Sequence, residues 1–114
     1  MKKRLISSYD EINDTFVGKV DGENGYCADY GISEGVYLGI NSSHFPTSVI
    51  VPNASEVLNT SKETLESADV KININCDDSC LYFDMCIEDD RICSIRCKNS
   101  FGIPKMECLI DSNI

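Results

Sequence analysis

Tryptophan is absent from this 114-residue sequence and histidine occurs once. No apolar run approaches the length that a bilayer core demands, which excludes a helical membrane span. Met1-Lys2-Lys3-Arg4 begins like the basic start of a secretion signal, but Leu5 and Ile6 stand alone before polar residues, so no signal segment is expected. The expected compartment is the cytoplasm. There the Asn-x-Ser/Thr triplets at Asn41, Asn53 and Asn59 carry no glycan, and the seven cysteines are read as thiols. A glycine-rich phosphate loop, an H-E-x-x-H pair and a G-x-S-x-G elbow are all missing, which removes the familiar nucleotide, metalloprotease and hydrolase signatures. His44, in Ser42-Ser43-His44-Phe45-Pro46, reads as a loop residue rather than half of a Ser–His or Cys–His dyad.

Basic residues are scarce as well. Ten Lys and Arg face nineteen Asp and Glu, a net charge of −9. Lys2, Lys3 and Arg4 supply three of the ten, so residues 5–114 carry about −12. Phosphate backbones are held by Lys and Arg, and a body this acidic repels them. The charge therefore argues against direct nucleic-acid binding and against an anionic membrane. It favours a basic protein partner, or plain solubility.

What is present is an ordinary globular balance, with 42% hydrophobic and 25% charged residues, in a chain long enough for one domain over residues 1–114. Residues 15–20, 35–40 and 48–51 are β-prone and separated by turn-rich segments. Asn53–Glu56 and Thr60–Glu63 each show capping-box spacing, and Leu58, Leu65 and Ala68 fall on one helical face. They predict one helix over about 54–68, kinked near Asn59, packed on a sheet. Val70, Ile72, Ile74 and Cys76 then alternate with Lys71, Asn73 and Asn75, a half-buried strand. Strands follow at 80–87, 92–97 and 105–110. The expected fold class is α+β, mainly antiparallel β hairpins with one central helix packed on the sheet. Asn41-Ser42 with Phe45-Pro46 recurs as Asn99-Ser100 with Ile103-Pro104, which suggests a two-half repeat over about 5–52 and 70–112.

Five cysteines crowd the stretch from Cys76 to Cys97. A hairpin with Asp89-Asp90 as its tight turn sets Glu88 against Arg91 and Cys86 against Cys93. It then projects Cys80, Cys86, Cys93 and Cys97 to one face. The two ends of that row lie roughly 13 Å apart along the ladder. One zinc ion holds every sulfur at about 2.3 Å, so the four cannot share it. Cys76 and Cys80 on a turn are the remaining zinc candidates. A Cys86–Cys93 disulfide is sterically allowed but opposed by a reducing compartment. The acids around these thiols disfavour the thiolate. No metal, cofactor-binding or catalytic residue is assigned, and the cysteines are read as small buried hydrophobes. Asp77-Asp78 and Asp89-Asp90 are read as solvated turn acids rather than calcium ligands.

The first half resembles a family. Tyr9-Asp10-Glu11-Ile12-Asn13-Asp14, an apolar strand, Ile32-Ser33-Glu34-Gly35-Val36-Tyr37-Leu38, and then Val49-Ile50-Val51-Pro52-Asn53-Ala54-Ser55 look like a short prokaryotic domain of unknown function. Members of that family open with a Y-D-x-x-x-D element and end near an I-x-x-A-S helix entrance. The likeness covers about residues 7–58; Thr15-Phe16-Val17 and Pro52 depart from it, and residues 70–114 have no match. The resemblance implies a small β-hairpin fold and no catalytic residues.

Together these features lead to a non-enzymatic cytoplasmic protein-binding module. Its partner would be a protein, with a basic one favoured, and its tools an acidic surface and sheet edges that can also pair with a second copy. A sharper form is an acidic inhibitor or nucleic-acid mimic from a phage or mobile element. The alternative is a small metal- or thiol-dependent module or enzyme using the cysteine-rich hairpin.

Overall fold

Alternation of apolar and polar residues dominates the chain, and among the described residues it forms nine strands. The computed structural model describes residues 2–23, 25, 28–67 and 69–113. The strands are β1 (Lys2–Asp10), β2 (Thr15–Val20), β3 (Ala28–Ser33), β4 (Val36–Ile40), β5 (Pro46–Val51), β6 (Val70–Cys76), β7 (Cys80–Ile87), β8 (Asp90–Lys98) and β9 (Met106–Asp111). Two short helices, α1 (Ala54–Val57) and α2 (Lys62–Ser67), lie between β5 and β6. All nine strands join one nearly closed, barrel-like sheet in the order β3-β4-β5-β2-β1-β9-β6-β7-β8. The end strands β3 and β8 approach one another, and the Tyr30 ring of β3 lies 4.8 Å from the Phe101 ring in the loop after β8.

Every neighbouring pair is antiparallel except β1 and β9, where Lys2, Lys3 and Arg4 run parallel to Leu109, Ile110 and Asp111. Odd-numbered strands therefore run one way and even-numbered strands the other. The order β9-β6-β7-β8 is a Greek key, three successive hairpin strands with the fourth returning beside the first.

The core fills the inside of this sheet. Phe16, Leu38, Val49 and Val51 come from one half, and Ile72, Ile74, Leu81, Phe83, Met85 and Ile110 from the other, all fully buried. On β6 the expected alternation holds, with Val70, Ile72, Ile74 and Cys76 inside and Lys71, Asn73 and Asn75 facing outward. Ala54, Leu58 and Leu65 are buried from the helical segment, which stops one end of the barrel.

The α+β expectation with a central helix is wrong: the fold is mainly β, and the helical segment is two pieces of four and six residues. The break has a local cause. Asn59 sits in the left-handed region, at φ 49. Thr60 N donates to Ser55 O and Asn59 N to Glu56 O, the paired bonds of a Schellman ending. Asn53 fails as a cap too, because it is itself left-handed and its side chain makes no capping bond. Helix α2 starts anew at Ser61, whose hydroxyl accepts from Thr64 N at 3.2 Å, one residue past the Thr60 box read from sequence. Ala68, placed on the helical face by the sequence reading, lies outside the described residues, as does Cys27.

The β7–β8 hairpin also differs in register. Its tight turn is Glu88-Asp89, at φ 50 and 70, not Asp89-Asp90. Asp90 is already in β8, opposite Ile87, and Cys86 faces Arg91. A bulge at Ile92 then sets Cys93 against Met85 and Cys97 against Leu81. Two positive-φ residues in a two-residue loop match the strand twist, and the bulge absorbs the odd residue.

Candidate functional site

Strand direction places each loop at one end of the barrel or the other, and the charges separate with them. One end gathers the β1–β2 turn with Asp10, Glu11 and Asp14, and the β3–β4 turn with Glu34. It also holds Glu56, Glu63, Glu66 and Asp69 of the helical segment, Glu88, Asp89 and Asp90 of the β7–β8 turn, and Asp111 closing β9. Twelve of the nineteen acids meet there with four bases, Arg4 beside its register partner Asp111, Lys62, Lys71 and Arg91. The opposite end and its loops hold six bases and six acids, and Asp84 lies mid-strand. That end thus carries about −8 of the net charge of −9, with the twelve acids set against four bases.

The local structure of that end is built around Asp14. Its carboxylate accepts from Tyr9 Oη at 2.6 Å, from Ser55 N at 3.0 Å and from Ser55 Oγ at 2.6 Å. Its carbonyl accepts from Ala54 N at 2.8 Å. Asp14 thereby supplies the capping that Asn53 does not, and ties the β1–β2 turn to α1. The bonds from Ser55 and then Tyr9 hold the Asp14 carboxyl below its ordinary range. Burial and the Asp14 bond push the Tyr9 hydroxyl up to about 12. Tyr9, Asp14 and Ser55 are among the residues that carried the family resemblance. Their hydrogen bonds hold the turn and helix together. Beside this clasp, Ile12 stands 92% exposed at the tip of the β1–β2 turn, and Val57 is 36% exposed on α1. Both are apolar side chains set among carboxylates.

The cysteines do not share a face. Cys80 and Cys86 lie on the outer face of β7, whereas Cys93 and Cys97 pair with the buried Met85 and Leu81 and point inward. Cys76 and Cys108 are buried. Burial pushes the Cys76 thiol up to about 11, and raises Cys93, Cys97 and Cys108 as well. The one-face row read from sequence fails because the turn is one residue earlier and a bulge follows it. Among the described residues no three His, Cys, Asp or Glu side chains gather into a metal-holding group. The Cys76–Cys80 zinc candidate is divided in the same way, with Cys76 inside the barrel and Cys80 outside.

The other candidates take structural places. Asp77 Oδ1 accepts from Ser79 N, Ser79 Oγ and Cys80 N, at 2.8, 3.1 and 2.7 Å, which closes the β6–β7 turn. The backbone bonds from Cys80 and Ser79 lower its carboxyl. Asp89 pairs with Lys71 at 3.2 Å across the adjacent hairpin, raising Lys71. His44, at φ 61, holds the loop before β5 against the loop before β9, with Nδ1 3.3 Å from Phe101 O.

Sequence reasoning missed the charge polarity and the Asp14 clasp. Glu34, Glu63, Glu88 and Asp111 are far apart along the chain, and only the strand directions bring them to one end. The Y-D-x-x-x-D and Ala-Ser segments were visible as motifs, but not as bonding partners 41 residues apart. No known protein family, characterised protein or solved structure matches this chain. No helix among the described residues is long and apolar enough to cross a membrane.

Proposed function

We propose that the chain is a non-enzymatic protein-binding module whose acidic end engages a basic surface on a partner protein. The observation that supports this is the gathering of twelve acids against four bases at one end, around an almost fully exposed Ile12. Charge of one sign steers an oppositely charged partner and raises the rate of encounter. An exposed aliphatic tip amid carboxylates supplies the apolar anchor that an interface centre needs. The other six bases lie at the opposite end, balanced by six acids.

The test is affinity capture from the native extract with the wild-type chain, Ile12→Ala, and the triple variant E56Q/E63Q/E66Q, at low and high salt. The expected result is a basic protein held by wild type at low salt, lost in high salt and in the triple variant, and weakened by Ile12→Ala. Equal capture by all three chains, or capture indifferent to salt, refutes the reading. Competition by duplex DNA for the captured partner would assign the inhibitor or mimic form, in which the acidic end occupies a phosphate-binding surface.

A further inference from the structure

The outer face of β9-β6-β7-β8 carries side chains that the fold itself does not use. Asn is among the residues least suited to strands, yet β6 places Asn73 and Asn75 at successive outward positions in the middle of a four-stranded face. Neither amide makes a hydrogen bond to another described residue, and neither does the Tyr82 hydroxyl or the Glu107 carboxylate. The cross-strand register aligns Glu107, Asn75, Tyr82 and Arg96 in one row. Tyr82 is 37% exposed, and the Arg96 guanidinium lies 5.5 Å from its ring centroid.

Two shallow hollows meet on this face. One, about 580 Å³, is lined by Asn75, Asp77, Tyr82, Lys105 and Glu107. The other, about 400 Å³, adds Lys2, Asn73 and Leu109 and shares Asn75 and Glu107 with the first. Lys2, Lys105 and the neighbouring Arg96 are set against Asp77 and Glu107 around the pair, so charges of both signs are interspersed and neither builds an ionic pocket.

We propose that these joined hollows bind a neutral polyhydroxylated ligand, an oligosaccharide, seated against the Tyr82 ring and hydrogen-bonded by Asn73, Asn75 and Glu107. The chemistry fits group by group. A pyranose offers one face of C–H groups, which packs on the face of an aromatic ring. Its neighbouring hydroxyls both donate and accept, matching an amide that presents both functions on one fork and a carboxylate that accepts twice. An extended peptide fits less well, because strand addition needs a free backbone edge and β6 and β7 are paired on both sides. The inference does not rest on the acidic end, which lies at the other end of β6.

The test is a backbone amide NMR titration of the full chain with the neutral hexasaccharides of α-glucan, β-glucan, mannan and chitin. At least one should bind with Kd on the order of 1 mM or tighter, shifting amides of β6, β7 and β9. Tyr82→Ala and Asn75→Ala should each weaken it about tenfold or more, with Tyr82→Phe close to wild type. Tyr37→Ala, on the outer face of the other half, should bind unchanged. Affinity should stay level as salt rises, which separates this site from the acidic end. No shift with any of the four sugars, shifts confined to other strands, or wild-type affinity in folded Tyr82→Ala would overturn the proposal.

Discussion

Replacing Glu88 by glycine should stabilise the protein, and replacing Asp90 by glycine should destabilise it. Glu88 holds φ 50 as the first residue of the β7–β8 turn. An L-residue in the left-handed region costs about 1–2 kcal/mol, and glutamate lacks the short side chain that softens this for Asn and Asp. Glycine removes that cost but gives up about 0.5–1 kcal/mol of backbone entropy on folding. The expected net gain is about 0.5–1 kcal/mol. Glu88 is preferred to Asp89 because Asp89 bonds Lys71 at 3.2 Å, and losing that exposed pair would blur the result. The backbone bond from Glu88 N to Asp69 O at 3.0 Å survives the change. Asp90 is the first residue of β8, opposite Ile87, so glycine there has only its entropic cost of about 0.5–1 kcal/mol. The two variants should differ by about 1–2 kcal/mol, or several degrees in Tm for a domain of this size. Urea melts followed by circular dichroism give both values. A stabilised Asp90→Gly with a destabilised Glu88→Gly would place the turn at Asp89-Asp90 and refute the register.

Gly35, at φ 83 in the β3–β4 turn, has Val57 Cγ2 2.7 Å from where a Cβ would stand; Gly35→Ala should cost about 1–3 kcal/mol in a thermal melt, and adding Val57→Ala should return only the steric part. Asp14→Asn should loosen α1 and lower the urea midpoint, while Ser55→Ala, which keeps the backbone donor to Asp14, should do so less. The Asp14 carboxyl is lowered on folding, so its contribution is present above its ordinary value of 3.8 and lost as pH falls through the depressed value; acid melts should show wild type losing stability there and Asp14→Asn losing less. Tyr9 is raised from 10.0 to about 12, so its contribution is whole below pH 10 and fades as pH rises toward 12, which Tyr9→Phe should abolish in alkaline melts. Alkylation followed by peptide mass mapping should modify Cys80 and Cys86 in the native protein well before Cys76 and Cys108, because the first two lie on the outer face and the last two are buried; equal rates would contradict this division between the outer face and the core.

Period-2 alternation made much of the β architecture legible in the amino-acid order. Val70, Ile72, Ile74 and Cys76 were marked for the inside and are buried there, and the spans 15–20 and 80–87 coincide with β2 and β7. Side chains on a strand alternate whatever the partner strand is, so this information is local. The first strand was obscured because Lys2–Asp10 buries only Leu5 and reads as a charged leader rather than a strand. Register, faces and ends belong to another level. Capping-box spacing cannot reveal that Asn53 and Asn59 adopt left-handed conformations, or that Asp14 does the capping from 41 residues away. One residue of difference in turn position, followed by a bulge, sends Cys93 and Cys97 inward while Cys80 and Cys86 stay outside. The net charge of −9 was plain from composition. That most of it sits at one end follows from the alternating strand directions, and that Tyr82 stands beside Asn75 and Glu107 follows from pairing among β7, β6 and β9. Both depend on contacts between segments that only the closed sheet brings together.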